Sequence, residues 1–121
     1  MDVPVFKILF DDADAKLLLG DNPMRVTPWD EAPQNIDKPY VTYTLFNGDP
    51  QNTMNTVPKV DNLGTQVDVW APTGAECLAV AKVVRDALEP HGHMTSISNT
   101  QKDLATKLYR LRMDFDFFTF R

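Results

Sequence analysis

His91-Gly92-His93 sets two imidazoles close together, the nearest this chain comes to a pair of metal-ligating side chains. A zinc site needs three or four such donors, and no carboxylate or thiolate stands at ligand spacing from them. A helix-terminating turn with exposed histidines is the simpler reading. Asp11, Asp12 and Asp14 look superficially like a cation loop, but the glycine and distal glutamate of an EF-hand are absent, so they read as a solvated helix cap. Asp114 and Asp116 alternate along a strand as paired acids might in a glycosidase. Arg110 and Arg112 precede them and Phe115 separates them, which points to a solvated or interfacial charge face. Trp29 and Trp70 have no basic neighbours, so they read as core-edge aromatics more readily than as a base-stacking platform. Cys77 stands alone and cannot form an intrachain disulfide; on a helix it reads as a small buried hydrophobe. There is no Gly-rich phosphate loop and no serine in a nucleophile elbow. These residues assign no catalytic, cofactor or metal role, and the expectation is a protein of assembly.

The elements around them are better written than any site. The chain has 121 residues, enough for one domain with a modest core, and its 43% hydrophobic and 24% charged residues are an ordinary globular balance. Twelve basic residues against seventeen acidic ones leave a net charge of −5, which argues against tight nucleic-acid binding but not against DNA passing by. No run approaches the ~18 apolar residues of a membrane span, and the N-terminus lacks a basic start, so a soluble protein made in a reducing compartment is expected.

Asp2 and Pro4 suit the start of a helix, and Phe6, Leu9, Phe10, Ala13 and Leu17 recur at helical spacing as its expected buried stripe. The aspartates in mid-segment favour a break into two short helices, with Asp11 or Asp12 capping the second and Gly20 ending the unit. Residues 24–29 read as a short strand cut by Pro28, and 30–39 as a connecting loop. Residues 40–46 are β-branched and aromatic, a strand with Val41, Tyr43 and Leu45 facing the core. Residues 63–71 form another strand, with Leu63, Val67 and Val69 on one side and Gln66 and Asp68 on the other. Thr73-Gly74-Ala75-Glu76 is a capping box opening a helix whose stripe is Cys77, Ala81, Val84 and Leu88, stopped by Pro90 and Gly92. A weak strand at 93–98 and a turn at Lys102-Asp103 lead to a long closing strand, 108–120. There Tyr109, Leu111, Met113, Phe115 and Phe117 alternate with Arg110, Arg112, Asp114 and Asp116. The alternation breaks at Phe118 and Phe120, which implies a bulge or intramolecular cover, or else burial against another chain. The whole is a single α+β domain in the order α-β-β-β-α-β-β, with a mostly antiparallel sheet and two main helices on one face.

Residues 47–62 exceed the usual hairpin loop of roughly two to five residues. They form either a mobile tip or an arm that orders on a neighbour, through Asp49, Thr53, Met54, Thr56, Val57 and Lys59. Arg110, Arg112, Asp114 and Asp116 would form a solvated or interfacial charge face, or Arg110 or Arg112 would pair with Asp68 in one sheet. Phe118 and Phe120 complete the candidate contact residues.

The order of elements resembles the tail terminator or tail-completion proteins of long-tailed bacteriophages. Three blocks carry the resemblance: Lys38-Pro39-Tyr40-Val41-Thr42-Tyr43; Gln66-Val67-Asp68-Val69-Trp70-Ala71 followed by Glu76, Ala79, Ala81, Val84, Arg85, Ala87 and Leu88; and Leu108-Tyr109-Arg110-Leu111-Arg112-Met113-Asp114-Phe115. With Leu17-Leu18-Leu19-Gly20 closing the first helical unit, it spans most of the chain. It implies a structural virion protein, assembled in the host bacterial cytoplasm, that forms a six-fold ring at the head-proximal end of the tail. That ring would contact further copies of itself, the tail tube protein and the head-tail connector protein, with DNA only in transit and no membrane. The family brings no catalytic residues and no cofactor. Two other readings stand beside it: a head-tail adaptor or tube subunit, and a small ligand-binding or enzymatic domain using Trp29, Trp70 and His93.

Overall fold

A computed structural model describes residues 4–20, 24–28, 36–47, 50–51 and 60–120. The chain forms helices α1 (Val5–Phe10) and α2 (Ala13–Leu19), strands β1 (Val26–Pro28), β2 (Tyr40–Asn47), β3 (Pro50–Gln51) and β4 (Val60–Ala71), helix α3 (Gly74–Leu88), and strands β5 (Gly92–Ile97), β6 (Gln101–Lys102) and β7 (Tyr109–Phe120). The strands make one sheet in the spatial order β1-β2-β4-β7-β5, with β3 beside β4 and β6 beside β7. β1 runs parallel to β2, and every other pairing is antiparallel.

β4 and β7 are the spine. Each has twelve residues, and they pair in unbroken register from Val60 opposite Phe120 to Ala71 opposite Tyr109. Their alternation works because successive strand residues face opposite sides. Val67, Val69, Leu111, Met113, Phe115 and Phe117 are buried on one side, where α3 seats Cys77, Val80, Ala81, Val84 and Leu88. The helix begins as its capping signal requires, with the Thr73 hydroxyl accepting from the Glu76 amide at 3.2 Å. α1 and α2 pack against α3, so all three helices share one face.

The first helical unit does break in two, and Asp12 caps α2 by accepting from the Ala15 amide at 2.9 Å. Gly20 closes it with φ 81°, a conformation that favours glycine.

The expected stripe holds at Leu9 and in part at Phe10, which packs on the core, and fails at Phe6, Ala13 and Leu17. The buried residues are Val5 and Leu9 in α1 and Ala15 and Leu19 in α2, while Phe6, Ala13 and Leu17 are exposed. A spacing counted through the Asp11-Asp12 break joins residues of two helices that turn different faces inward. Phe6 stacks on Phe10 at the edge of the core, ring centroids 5.8 Å apart, and the Lys16 ammonium sits 4.2 Å from the Phe10 ring. Two smaller corrections concern the sheet. Val41 is buried and Tyr43 packs on the core, but Leu45 is 40% exposed, one residue short of a register shift. No bulge interrupts β7 against β4 at Phe118; the irregularity in that region lies on β5, between Met94 and Ser96.

Candidate functional site

The face of the sheet turned away from the helices is a ladder of polar and aromatic residues. Cross-strand register sets it in rows: Tyr40, Trp70, Arg110 and Gln101; then Thr42, Asp68 and Arg112; then Thr44, Gln66, Asp114 and Ser96. In the first row the rings of Tyr40 and Trp70 stack 5.9 Å apart, and the Arg110 guanidinium lies 5.2 Å from the Trp70 ring. The indole Nε1 donates to the Thr42 hydroxyl at 3.1 Å. Burial raises the Tyr40 phenol above its ordinary pKa, and the Asp103 charge adds to this.

Asp68 is wholly buried beneath this ladder. Arg110 Nε donates to its Oδ1 at 3.1 Å and Gln66 Nε2 to its Oδ2 at 2.8 Å, so both oxygens are engaged. That is the within-sheet pairing expected for Asp68, and Arg110 makes it. Arg112 instead grips Asp114 with two bonds, Nε to Oδ1 at 3.1 Å and Nη2 to Oδ2 at 3.3 Å, while the Ser96 hydroxyl donates to Oδ2 at 2.7 Å. Asp116 stands opposite His93, half-buried.

The remaining candidates do not converge. Asp49, Thr53, Met54, Thr56, Val57 and Lys59 lie outside the described residues, as does Trp29. Phe118 and Phe120 occupy backbone positions opposite Asn62 and Val60. The pocket imagined from Trp70 and His93 has no geometry. Trp70 faces Arg110 and His93 faces Asp116, six residues along β7, which is about 20 Å of strand. An open cavity of about 590 Å³ lies between α1 and the end of α3, lined by Lys7, Ile8, Asp11, Asp12 and His91 among others. Among the described residues no three His, Cys, Asp or Glu side chains are placed to hold a metal, and no helix is long and apolar enough to cross a membrane. Cys77 is buried, with its thiol donating towards the Val69 and Tyr109 carbonyls at 3.4 and 3.7 Å. Burial, and secondarily the Glu76 charge, pushes it up to about 11, far from a reactive thiolate.

Two features escaped the sequence. Arg25 staples three segments, donating from Nε to the Pro39 carbonyl at 2.9 Å and from Nη2 to the Leu18 carbonyl at 2.8 Å. A lone arginine before a three-residue strand carries no local signal of that. The second is a groove beside β5, lined by Leu78 of α3 and Ile97 of β5, with Lys82 and Arg85 along it. Its only signal was Leu78, an apolar residue on the flank of the helix stripe.

A family model described as tail completion protein gp17 matches residues 3–119, nearly the whole chain. A search of curated proteins found no match. Among solved structures, a chain from the virion of a native gene transfer agent particle superposes with a TM-score of 0.65 at 16% identity, over 97% of this chain and 92% of that one. The gp17 protein of bacteriophage SPP1 superposes with a TM-score of 0.54 at 17% identity, over 92% of this chain and 84% of that one. At such identities the likeness is one of fold.

Proposed function

The chain belongs to the tail completion protein gp17 family, structural proteins of the phage virion, and on that premise we propose that its copies close into a six-fold ring at the head-proximal end of the tail tube. The ring ends tube growth and offers a docking surface to the head connector. The observation that carries this reading is the family match over residues 3–119. The fold supports it in two ways. The polar ladder spends its charges on each other, Arg110 on Asp68 and Arg112 on Asp114, which fixes the strands against one another. The sheet ends in two unlike edges, a three-residue β1 and a longer β5, which suits head-to-tail contacts between copies. Each copy contributes a net charge of −5, and a net-negative lumen would let DNA pass without holding its phosphates. A ring map with a lumen dominated by Lys and Arg would count against that last point.

Of residues 47–62, positions 47, 50–51 and 60–62 belong to β2, β3 and β4; in this reading the segment 52–59 is an arm that orders on a neighbouring copy or on the tube. Its amides should exchange quickly in the free protein and slowly in the ring; equal protection in both states would remove the arm.

The decisive test is the tail-length distribution, by electron microscopy, of particles made by the parent phage with this gene deleted. Overlong tubes without heads are the expected outcome. Tails of normal length that fail to join heads would make the protein a head-tail adaptor instead. Intact, infectious particles would overturn the structural role.

A further inference from the structure

Near the two edges of the sheet stand an apolar groove and a bare leucine, with opposite charges beside them. Beside β5 the groove holds about 260 Å³, floored by Ala81 and Leu111 and walled by Leu78 and Ile97, which are 56% and 47% exposed. Lys82 and Arg85 lie along its rim; Arg85 is paired with Asp86 at 3.6 Å and Glu89 at 3.9 Å, so Lys82 is the cation that a partner's carboxylate would meet. Leu78, Lys82 and Arg85 follow one another at helical spacing along one side of α3. At the other edge, α2 is tied to β1, since the Arg25 amide donates to the Leu19 carbonyl and its guanidinium to that of Leu18. There Leu17 stands 84% exposed, and Asp14, three residues before it on the same side of the helix, is exposed too. A leucine this bare, with a carboxylate beside it, fits an apolar slot with a cation on its rim.

We propose that the groove beside β5 receives the α2 corner of a second copy of this chain, Leu17 entering between Leu78 and Ile97 while Asp14 meets Lys82. The contact rests on the ring reading and says which surfaces make the ring. It is heterologous, because knob and slot lie on opposite edges, so a chain of such contacts closes by rotation and not by a two-fold axis. It also accounts for Phe6 and Leu17 lying outside the core: the α1–α2 unit has an inner face for α3 and, at Leu17, an outer one for a neighbour.

The test uses Leu17→Asp and Leu78→Asp, both at exposed positions, with thermal melts to establish that each variant folds as the wild type does. Assembly is read by sedimentation and native mass spectrometry, alone and with purified tail tubes. The wild type should form a closed oligomer, and each variant should associate at least tenfold more weakly. Mixed in equal amounts, the variants should form a dimer and stop, because each mixed pair retains one intact knob and slot and is blocked on both outer sides. Lys82→Asp should weaken assembly, and adding Asp14→Lys should restore it.

Variants that assemble as the wild type does would overturn the contact while leaving the ring intact. Loss of assembly in Leu78→Asp alone would show that the groove takes another occupant, and would equally overturn it. A wild type that stays monomeric both alone and with tubes would remove the ring reading together with this contact.

Discussion

The two faces of β4 and β7 are built from alternate residues of the same two strands, yet different forces hold them. On the helix side, Val67, Val69, Leu111, Met113 and Phe115 are removed from water without a polar atom among their side chains. On the open side, Gln66, Asp68, Trp70, Arg110, Arg112 and Asp114 are joined by directional bonds of 2.8–3.3 Å and by ring stacking. Apolar burial is non-directional and scales with area, so the first face supplies most of the stability. Hydrogen bonds and ion pairs return little net free energy but tolerate little displacement, so the second face chiefly holds the register of three strands. One strand pair thus divides cohesion from alignment. An assembly protein needs both, because its neighbours read the position of its edges.

The contrast can be broken most severely from the helix side. Val84→Asp places an unpaired carboxylate in the wholly buried layer of α3 and should abolish folding, at a cost on the order of 5 kcal/mol. A cooperative melt near the wild-type temperature would mean that the core is assigned to the wrong side of α3. On the open face the largest effect should come from Asp68→Ala, which strands Gln66 and removes the anchor of Arg110, at about 1–3 kcal/mol in urea unfolding. An effect as large as that of Val84→Asp would erase the distinction between the faces.

Cys77 sharpens the comparison through pH, because its thiol lies in the core. Its folded pKa, about 11, exceeds the ordinary thiol value of 9.0, so the fold favours the protonated thiol. The stabilisation is therefore complete below pH 9 and is lost as pH rises towards 11. Wild type should lose stability on the order of 1 kcal/mol relative to Cys77→Ala between neutral pH and pH 10. Parallel pH profiles for the two proteins would show a thiol open to solvent. The smallest effect belongs to Arg112→Ala. Its pair with Asp114 is half in water, so it should cost about 0–1 kcal/mol and less at high salt, measured by chemical denaturation at two ionic strengths.

Much of the fold was legible because its signals are local. Thr73 and Glu76 announce α3, the alternation from Tyr109 to Phe117 announces β7, and Gly20 closes the first helical unit wherever that unit is placed. Those signals depend on neighbours within a few residues. Family and assembly class came from the order and spacing of whole blocks, which a linear sequence preserves.

What only the tertiary structure decided is which face each element turns inward and what lies opposite it. Phe6 and Leu17 were apolar at helical spacing, yet α1 and α2 bury Val5, Leu9, Ala15 and Leu19, because packing against α3 chooses the face and the break at Asp11-Asp12 uncouples the two helices. Gly92 read as a helix stop, but a Cβ there would lie 2.6 Å from the Phe117 ring, so it is also what lets β5 close on β7. Asp68 read as lying on the face opposite Val67 and Val69, and it is wholly buried there because Arg110, brought in across the strands, and Gln66, two residues before it, replace its water. Alternation says which residues share a face. Only long-range register, set by the summed burial of distant segments, says what that face will meet.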